Sequence, residues 1–261
     1  MRQFLFLISL ISILVSCQQP ASAPENENDL KPERTNFSES PQPKEVNSAP
    51  LVQHPLDLET YDSLKLHIRQ RRIEFTHRYE SAKSDSTRAA VEEKAAQYLL
   101  DILSNEVFPA WFGTTWAFEG YTNTPRQGKV ACGYFVSTTL KHADFKLNRY
   151  KLAQAYSHRI AEVLGDRLQR FQDMKKMLDY ISEHPNDLYV VGLDNHVGFI
   201  EKHDSAVYFT HSSYWNPVEV IRQDAFSAPL LESSHVYVLS HVLTNRSLMQ
   251  KWIKGEGIPN P

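Results

Sequence analysis

A chain of 261 residues with 41% hydrophobic and 23% charged content has room for one medium-sized globular domain plus some unstructured chain. Its formal charge of −3 carries no basic excess, which argues against a nucleic-acid binder. The 11 histidines are scattered and form no run.

The amino terminus reads as a targeting segment. Arg2 supplies a positive start, and Phe4 to Val15 is an apolar run broken only by Ser9 and Ser12. That run is shorter than the roughly 20 residues a spanning helix needs. Leu14-Val15-Ser16-Cys17 closes it and resembles the lipobox of bacterial lipoprotein signal peptides. The resemblance implies a signal peptide over 1–16 and a diacylglycerol on the Cys17 thiol; an ordinary secretory signal and an uncleaved anchor are the alternatives. With Cys17 lipidated, Cys132 is the only free thiol of an exported protein, in a compartment where lone thiols are a liability. It reads as a small buried hydrophobe or as a nucleophile.

Residues 17–55 are expected to be a lipid-anchored, disordered tether. The stretch from Gln18 to about Gln53 is rich in Pro, Ser, Asn, Glu and Lys and has little to bury. Residues 56–110 are expected to form an amino-terminal helical cover. Leu58, Tyr61, Leu64, Leu66 and Ile68 open one helix that runs towards Tyr79, and Ser84 to Ser86 start a second. Val91, Ala95, Tyr98, Leu99 and Ile102 continue the second to about Val107, and Pro109 is expected to end it.

Residues 111–261 are expected to form the core. Trp111 to Gly128 reads as loop, Cys132 to about His142 as a short helix, and Leu152–Leu164 and Leu168–Ile181 as two more helices. Strands follow at Leu188–Leu193, His196–Lys202, Ala206–Thr210, Val218–Ile221 and His235–Val242. Helices followed by strands predict an α+β domain, with helices packed against an antiparallel sheet.

Cys132 follows a loop and opens a helix, where backbone amides and the positive end of the dipole favour thiolate. Gly133 beside it is expected to let a substrate approach the backbone closely. A nucleophilic Cys needs a base. His196 is the candidate, at the start of His196-Val197-Gly198-Phe199-Ile200, with Gly198 leaving room beside the imidazole. His211, in Phe209-Thr210-His211-Ser212-Ser213, ends the next strand and would be its neighbour across a hairpin. Whether the two share a face depends on alternation. His142, His158, His184, His235 and His241 have no ligand-like spacing, and no metal or other cofactor is expected.

These segments, in this order, resemble the NlpC-type cell-wall peptidases, which are papain-like cysteine hydrolases. The family's Asp-Cys-Ser-Gly-Phe-Val nucleophile helix is matched by Ala131-Cys132-Gly133-Tyr134-Phe135-Val136, and its His-Val-Gly-Ile strand by His196-Val197-Gly198-Phe199. Its His-Ala-Ser segment is matched by His211-Ser212-Ser213. Gly113 to Gly120 is similar in place to the family's Gly-Thr-Pro-Tyr-x-Tyr-Gly-Gly loop, with Trp116 where a Tyr hydroxyl serves the oxyanion. The resemblance covers about Trp111 to Ile221. It implies a papain-like fold and a Cys132-His196-His211 triad that cleaves an amide bond. Trp116 and the Cys132 amide would stabilise the oxyanion, and Gly133 would line the substrate side. It also implies a peptidoglycan peptide as substrate and the cell envelope as location. Gln18 after Cys17 points to the outer membrane in a Gram-negative source. Ala131 and Gly133 depart from the family pattern, which leaves two alternatives: a non-catalytic envelope lipoprotein that uses the fold to bind, or a hydrolase or acyltransferase for a non-wall substrate.

Overall fold

The structure is a computed structural model that describes residues 58–261. The signal peptide over 1–16, Cys17 and the tether over 17–55 lie outside the described residues.

Two helices come first. α1 (Leu58–Ser81) buries Tyr61, Ile68, Phe75 and Tyr79, a stripe at heptad-like spacing that faces the interior. α2 (Asp85–Ile102) starts in a capping box: Ser84 accepts from the Thr87 amide, and the Thr87 hydroxyl accepts from the Ser84 amide. Pro109 does not end this helix. A π-helical turn (Leu103–Val107) leads into α3 (Phe108–Trp111), with Pro109 in the first turn of α3. A proline is tolerated there because first-turn amides have no intrahelical acceptor.

The segment from Trp111 to Gly128 holds β1 (Thr115–Trp116), which pairs in parallel with β2 (Lys129–Val130). α4 (Cys132–His142) follows where it was expected. The stretch read as one helix over Leu152–Leu164 is two, α5 (Arg149–Ala153) and α6 (Ser157–Leu164). They pack on different neighbours, α5 on α4 and α6 on the sheet, so one continuous helix would not serve both. The helix expected over Leu168–Ile181 is also divided. β3 (Asp166–Phe171) is an edge strand, and α7 (Met174–Glu183) starts only after Asp173, whose carboxylate caps the Lys176 amide.

The remaining elements are β4 (Asp187–Gly192), β5 (Val197–His203), β6 (Ala206–Ser212), β7 (Val220–Asp224), α8 (Pro229–Glu232), β8 (Tyr237–His241) and α9 (Arg246–Lys254). The protein is α+β, built on a six-stranded antiparallel sheet of order β3-β8-β4-β5-β6-β7. Helices cover both faces. Alternation sends Leu188, Val190, Val197 and Phe199 towards α4, α6 and the α1–α2 pair. It sends Tyr189, Val191, Ile200 and Phe209 towards α7 and α8. Two covered faces explain why β4 is buried at every position.

α9 was not read from the sequence. It runs from the Asn245 cap to Gly255, whose φ of 67° is the left-handed turn that favours glycine at a helix end. Its Trp252 is buried against Phe75 and Phe145, and the indole N–H donates to the Ala143 carbonyl at 2.8 Å. α9 thereby joins α1 and α2 to α4 in one hydrophobic core.

Candidate active site

Val130 closes β2, Ala131 is extended, and Cys132 is the first residue of α4. No side chain caps this helix, so its first amides stay free for other acceptors. The Ser212 hydroxyl donates to the Val130 carbonyl at 2.8 Å. That bond ties the segment leading into Cys132 to the end of β6, one residue from His211.

His196 precedes β5, held by a turn in which the Leu193 amide donates to the His196 carbonyl at 2.8 Å. The β5–β6 pairing sets Phe199 against Thr210, so Gly198 stands opposite His211. Alternation then puts His196, Gly198 and His211 on one face. A Cβ on Gly198 would lie 2.8 Å from the His211 Cβ and 2.6 Å from the Phe209 ring. Glycine is needed there for the two imidazoles to meet.

They meet with His196 Nε2 2.9 Å from His211 Nδ1. His211 Nε2 in turn lies 3.2 Å from the Gln223 side-chain oxygen. An amide oxygen only accepts, so His211 carries its proton on Nε2, and its Nδ1 accepts from His196 Nε2–H. His196 Nδ1 is left with a lone pair; it is buried and has no hydrogen-bond partner. Burial holds His196 well below the usual imidazole range, and the charge of His211 adds to this. Burial brings His211 down to about 4, against the Gln223 hydrogen bond, which raises it.

One cleft of about 540 Å³ opens on Cys132, His196, Trp116 and Tyr214. Burial pushes the Cys132 thiol up, and the amides of Val197, Gly133 and Cys132 itself pull it down less strongly. The helix terminus therefore acts on the sulfur as expected, but burial outweighs it. With no partner on His196 Nδ1, no hydrogen bond joins the two residues. Both shifts, the thiol up and the imidazole down, disfavour an ion pair.

Trp116 is placed by its backbone, whose amide donates to the Val218 carbonyl at 3.0 Å. Its indole N–H is buried without a partner. The Tyr214 ring lies 5.8 Å from Trp116 and 5.3 Å from His196, so it stands between them. Two residues of this cleft thus carry buried polar atoms without partners, the His196 lone pair and the Trp116 N–H. Gly133 lines the cleft, and its missing Cβ also serves packing. A Cβ there would sit 2.4 Å from the Ala153 carbonyl oxygen, so the space it frees is filled by the end of α5 and not by substrate. Gly133→Ala is expected to destabilise the protein by about 1–3 kcal/mol through overpacking against backbone, read from the urea midpoint. An unchanged midpoint would show that α5 yields without cost.

Sequence reasoning missed Gln223 and Tyr214. Gln223 was left out because β7 was read as ending at Ile221, while pairing continues to Asp224. Tyr214 lies in the loop after His211-Ser212-Ser213, and nothing in the spacing points it back to His196. A second buried pair, His241 Nδ1 to Asp187 Oδ2 at 2.8 Å, is structural. Asp187 also accepts the amides of Leu243 and Thr244 and the Thr244 hydroxyl, and Tyr180 holds the other His241 nitrogen. Among the described residues no group of three or more His, Cys, Asp or Glu is arranged to hold a metal ion.

Three buried histidines are held low: His196 well below 6.5, His211 at about 4, and His142 at about 3, all chiefly by burial. Each is neutral when folded and takes up a proton on unfolding below pH 6.5. Their contribution to stability is complete above 6.5 and is lost as pH falls from 6.5 towards 4 and below. Three protons taken up on unfolding correspond to a slope of up to roughly 4 kcal/mol per pH unit. Urea midpoints from pH 7.5 to 5 are expected to fall steeply; a flat profile would contradict the burial of these rings.

No family model matches the chain, and no curated protein or solved structure matches it.

Proposed function

We propose that the chain is a cysteine hydrolase of the papain-like, NlpC-type fold, with Cys132 as nucleophile and His196 as base. The observation that carries the reading is the hydrogen-bonded row Gln223–His211–His196. It leaves the His196 Nδ1 lone pair free in the same cleft as a cysteine that opens a helix. In that scheme His196 takes the Cys132 proton as the sulfur attacks an acyl carbonyl. The imidazolium that forms is supported by the neutral His211. The free amides at the start of α4 and the Trp116 N–H stabilise the oxyanion. His196 protonates the leaving group, and water releases the acyl group from sulfur. With burial pushing the thiol up, proton transfer in this scheme accompanies attack.

Residues 1–55 would place this domain at the cell envelope through lipid on Cys17, within reach of peptidoglycan peptides, the substrate class that the resemblance implies. A second reading, a binding module of the same fold, is favoured by the thiol that burial pushes up and by the missing Cys132–His196 bond.

The two readings separate on whether an acyl-enzyme forms. Mixing the protein with an activated 4-nitrophenyl ester and quenching in acid is expected to leave an acyl adduct that peptide mass mapping places on Cys132. A protein that stays unlabelled at Cys132 across acyl groups would be the binding module.

A further inference from the structure

We infer that the cleft beside Cys132 takes an uncharged apolar acyl chain, the acyl part of a fatty-acyl ester or amide, in preference to a carboxylate-bearing wall peptide. The inference rests on the reading of Cys132 as nucleophile and selects among its substrates.

The cleft volume of about 540 Å³ lies within the roughly 300–1,000 Å³ usual for ligand pockets. Trp116 ends β1, Phe118 comes from the loop between β1 and β2, Tyr134 from α4, Tyr156 from the α5–α6 turn, Ile160 from α6 and Tyr214 from the loop after β6. Among the described residues, Asp194 is the one charged side chain that lines this cleft. Lys141, Lys146 and Arg149 line a separate depression; Arg149 stacks on the ring of the cleft-lining Tyr134, 5.3 Å from its centroid, and donates to the Tyr121 and Thr122 carbonyls. A wall peptide carries several carboxylates. Drawing one into an apolar cleft without a cation to meet it is costly, and Asp194 would repel it as well. An acyl chain without charge meets neither obstacle.

The rim points the same way. Phe118 is 84% exposed and Tyr156 is 90% exposed, and they stand on two different loops around one opening. Large apolar rings left in water around a concave site mark a surface completed by an apolar ligand. A chain long enough to leave the floor beside Cys132 would cover both.

The chemistry balances without a further reactant. The Cys132 sulfur bonds to the acyl carbon as the C–O or C–N bond breaks, and the leaving alcohol or amine takes the proton that His196 received from the thiol. Water then adds to the thioester, gives its proton through His196 to the sulfur, and the fatty acid leaves.

The test uses the purified full chain and 4-nitrophenyl acetate, butyrate, octanoate and succinate monoester. The expected result is a kcat/KM that climbs roughly fourfold per added methylene until the chain passes the rim, with the succinyl ester below the butyryl ester. Phe118→Ser together with Tyr156→Ser should flatten the climb. In parallel, octanamide should slow alkylation of Cys132 by iodoacetamide, and succinamate should not. Turnover that depends on Cys132 but shows no climb, or that prefers the succinyl ester, would overturn the apolar assignment and leave the nucleophile standing. Protection by octanamide without any turnover would overturn the hydrolase and retain the apolar group as a bound ligand. Absence of both would sink the two together.

Discussion

Alanine at Cys132 is expected to lower turnover of a 4-nitrophenyl ester by roughly 10⁴-fold or more, and alanine at His196 to slow acylation by roughly 10²–10⁴-fold. Both should leave the fold intact. Cys132 is a small residue lining a cleft, and His196 precedes β5 without filling a place in its ladder. The two effects should not add, because the base has no task without the sulfur. Gln223→Leu is expected to give a smaller loss. Without the amide oxygen, His211 is free to move its proton to Nδ1, which then faces His196 Nε2–H. The His196 proton is driven to Nδ1, where the thiol needs a lone pair. The pH profile of Gln223→Leu should therefore change together with its rate, which a merely structural role would not produce. Stopped-flow release of nitrophenolate measures all three variants. A Cys132→Ala protein that turns over at the wild-type rate would end the proposal.

The sequence was most informative where chemistry and chain direction coincide. Cys132 at a helix start and His196 at a strand start were legible because a loop precedes each and a periodic apolar segment follows. The His196–His211 contact followed from hairpin geometry, and the choice of face needed the register that sets Gly198 opposite His211. Gln223 was hidden because its strand becomes polar, Arg222-Gln223-Asp224, where it leaves the core. β3 was read as helix because Asp166–Phe171 is a half-buried edge strand whose charged and apolar residues also fit a helical stripe. The packing role of Gly133 is hidden in the sequence for a similar reason. A glycine beside a nucleophile shows that something approaches closely, and only the structure shows it to be the Ala153 carbonyl.

The largest expected effect on stability comes from Glu201, far from any reacting atom. Its carboxylate is fully buried between β5 and the π-turn. Arg222 reaches it with Nη2 at 2.6 Å and Nε at 3.1 Å, and the Thr210 hydroxyl also donates to it. Burial works to raise this carboxyl, but His203, the charge of Arg222, Ser104 and Thr210 together hold it below the usual range. The arrangement begins with Pro109. In the π-turn the Phe108 amide goes to the Leu103 carbonyl, and Pro109, the next donor in line for the Ser104 carbonyl, has no N–H. Arg222 Nη2 donates to that carbonyl at 2.5 Å instead. One guanidinium thus satisfies the carbonyl left over by a proline and the carboxylate of a buried glutamate, and it joins the helical layer to the sheet. Removing the carboxylate leaves Arg222 without its counter-charge, and Glu201→Ala is expected to cost about 3–5 kcal/mol. Arg222→Met paired with Glu201→Leu should recover part of that loss, because neither charge then remains. The stabilisation from Glu201 is present above the unfolded carboxyl range near 4.3 and is lost as pH falls below it. That window overlaps the lower end of the histidine window, so the Glu201→Ala variant, and not pH alone, separates the two. Urea unfolding of the single and double variants at pH 7 decides the matter: a Glu201→Ala loss below about 1 kcal/mol would mean that the ion pair does not hold the layers together.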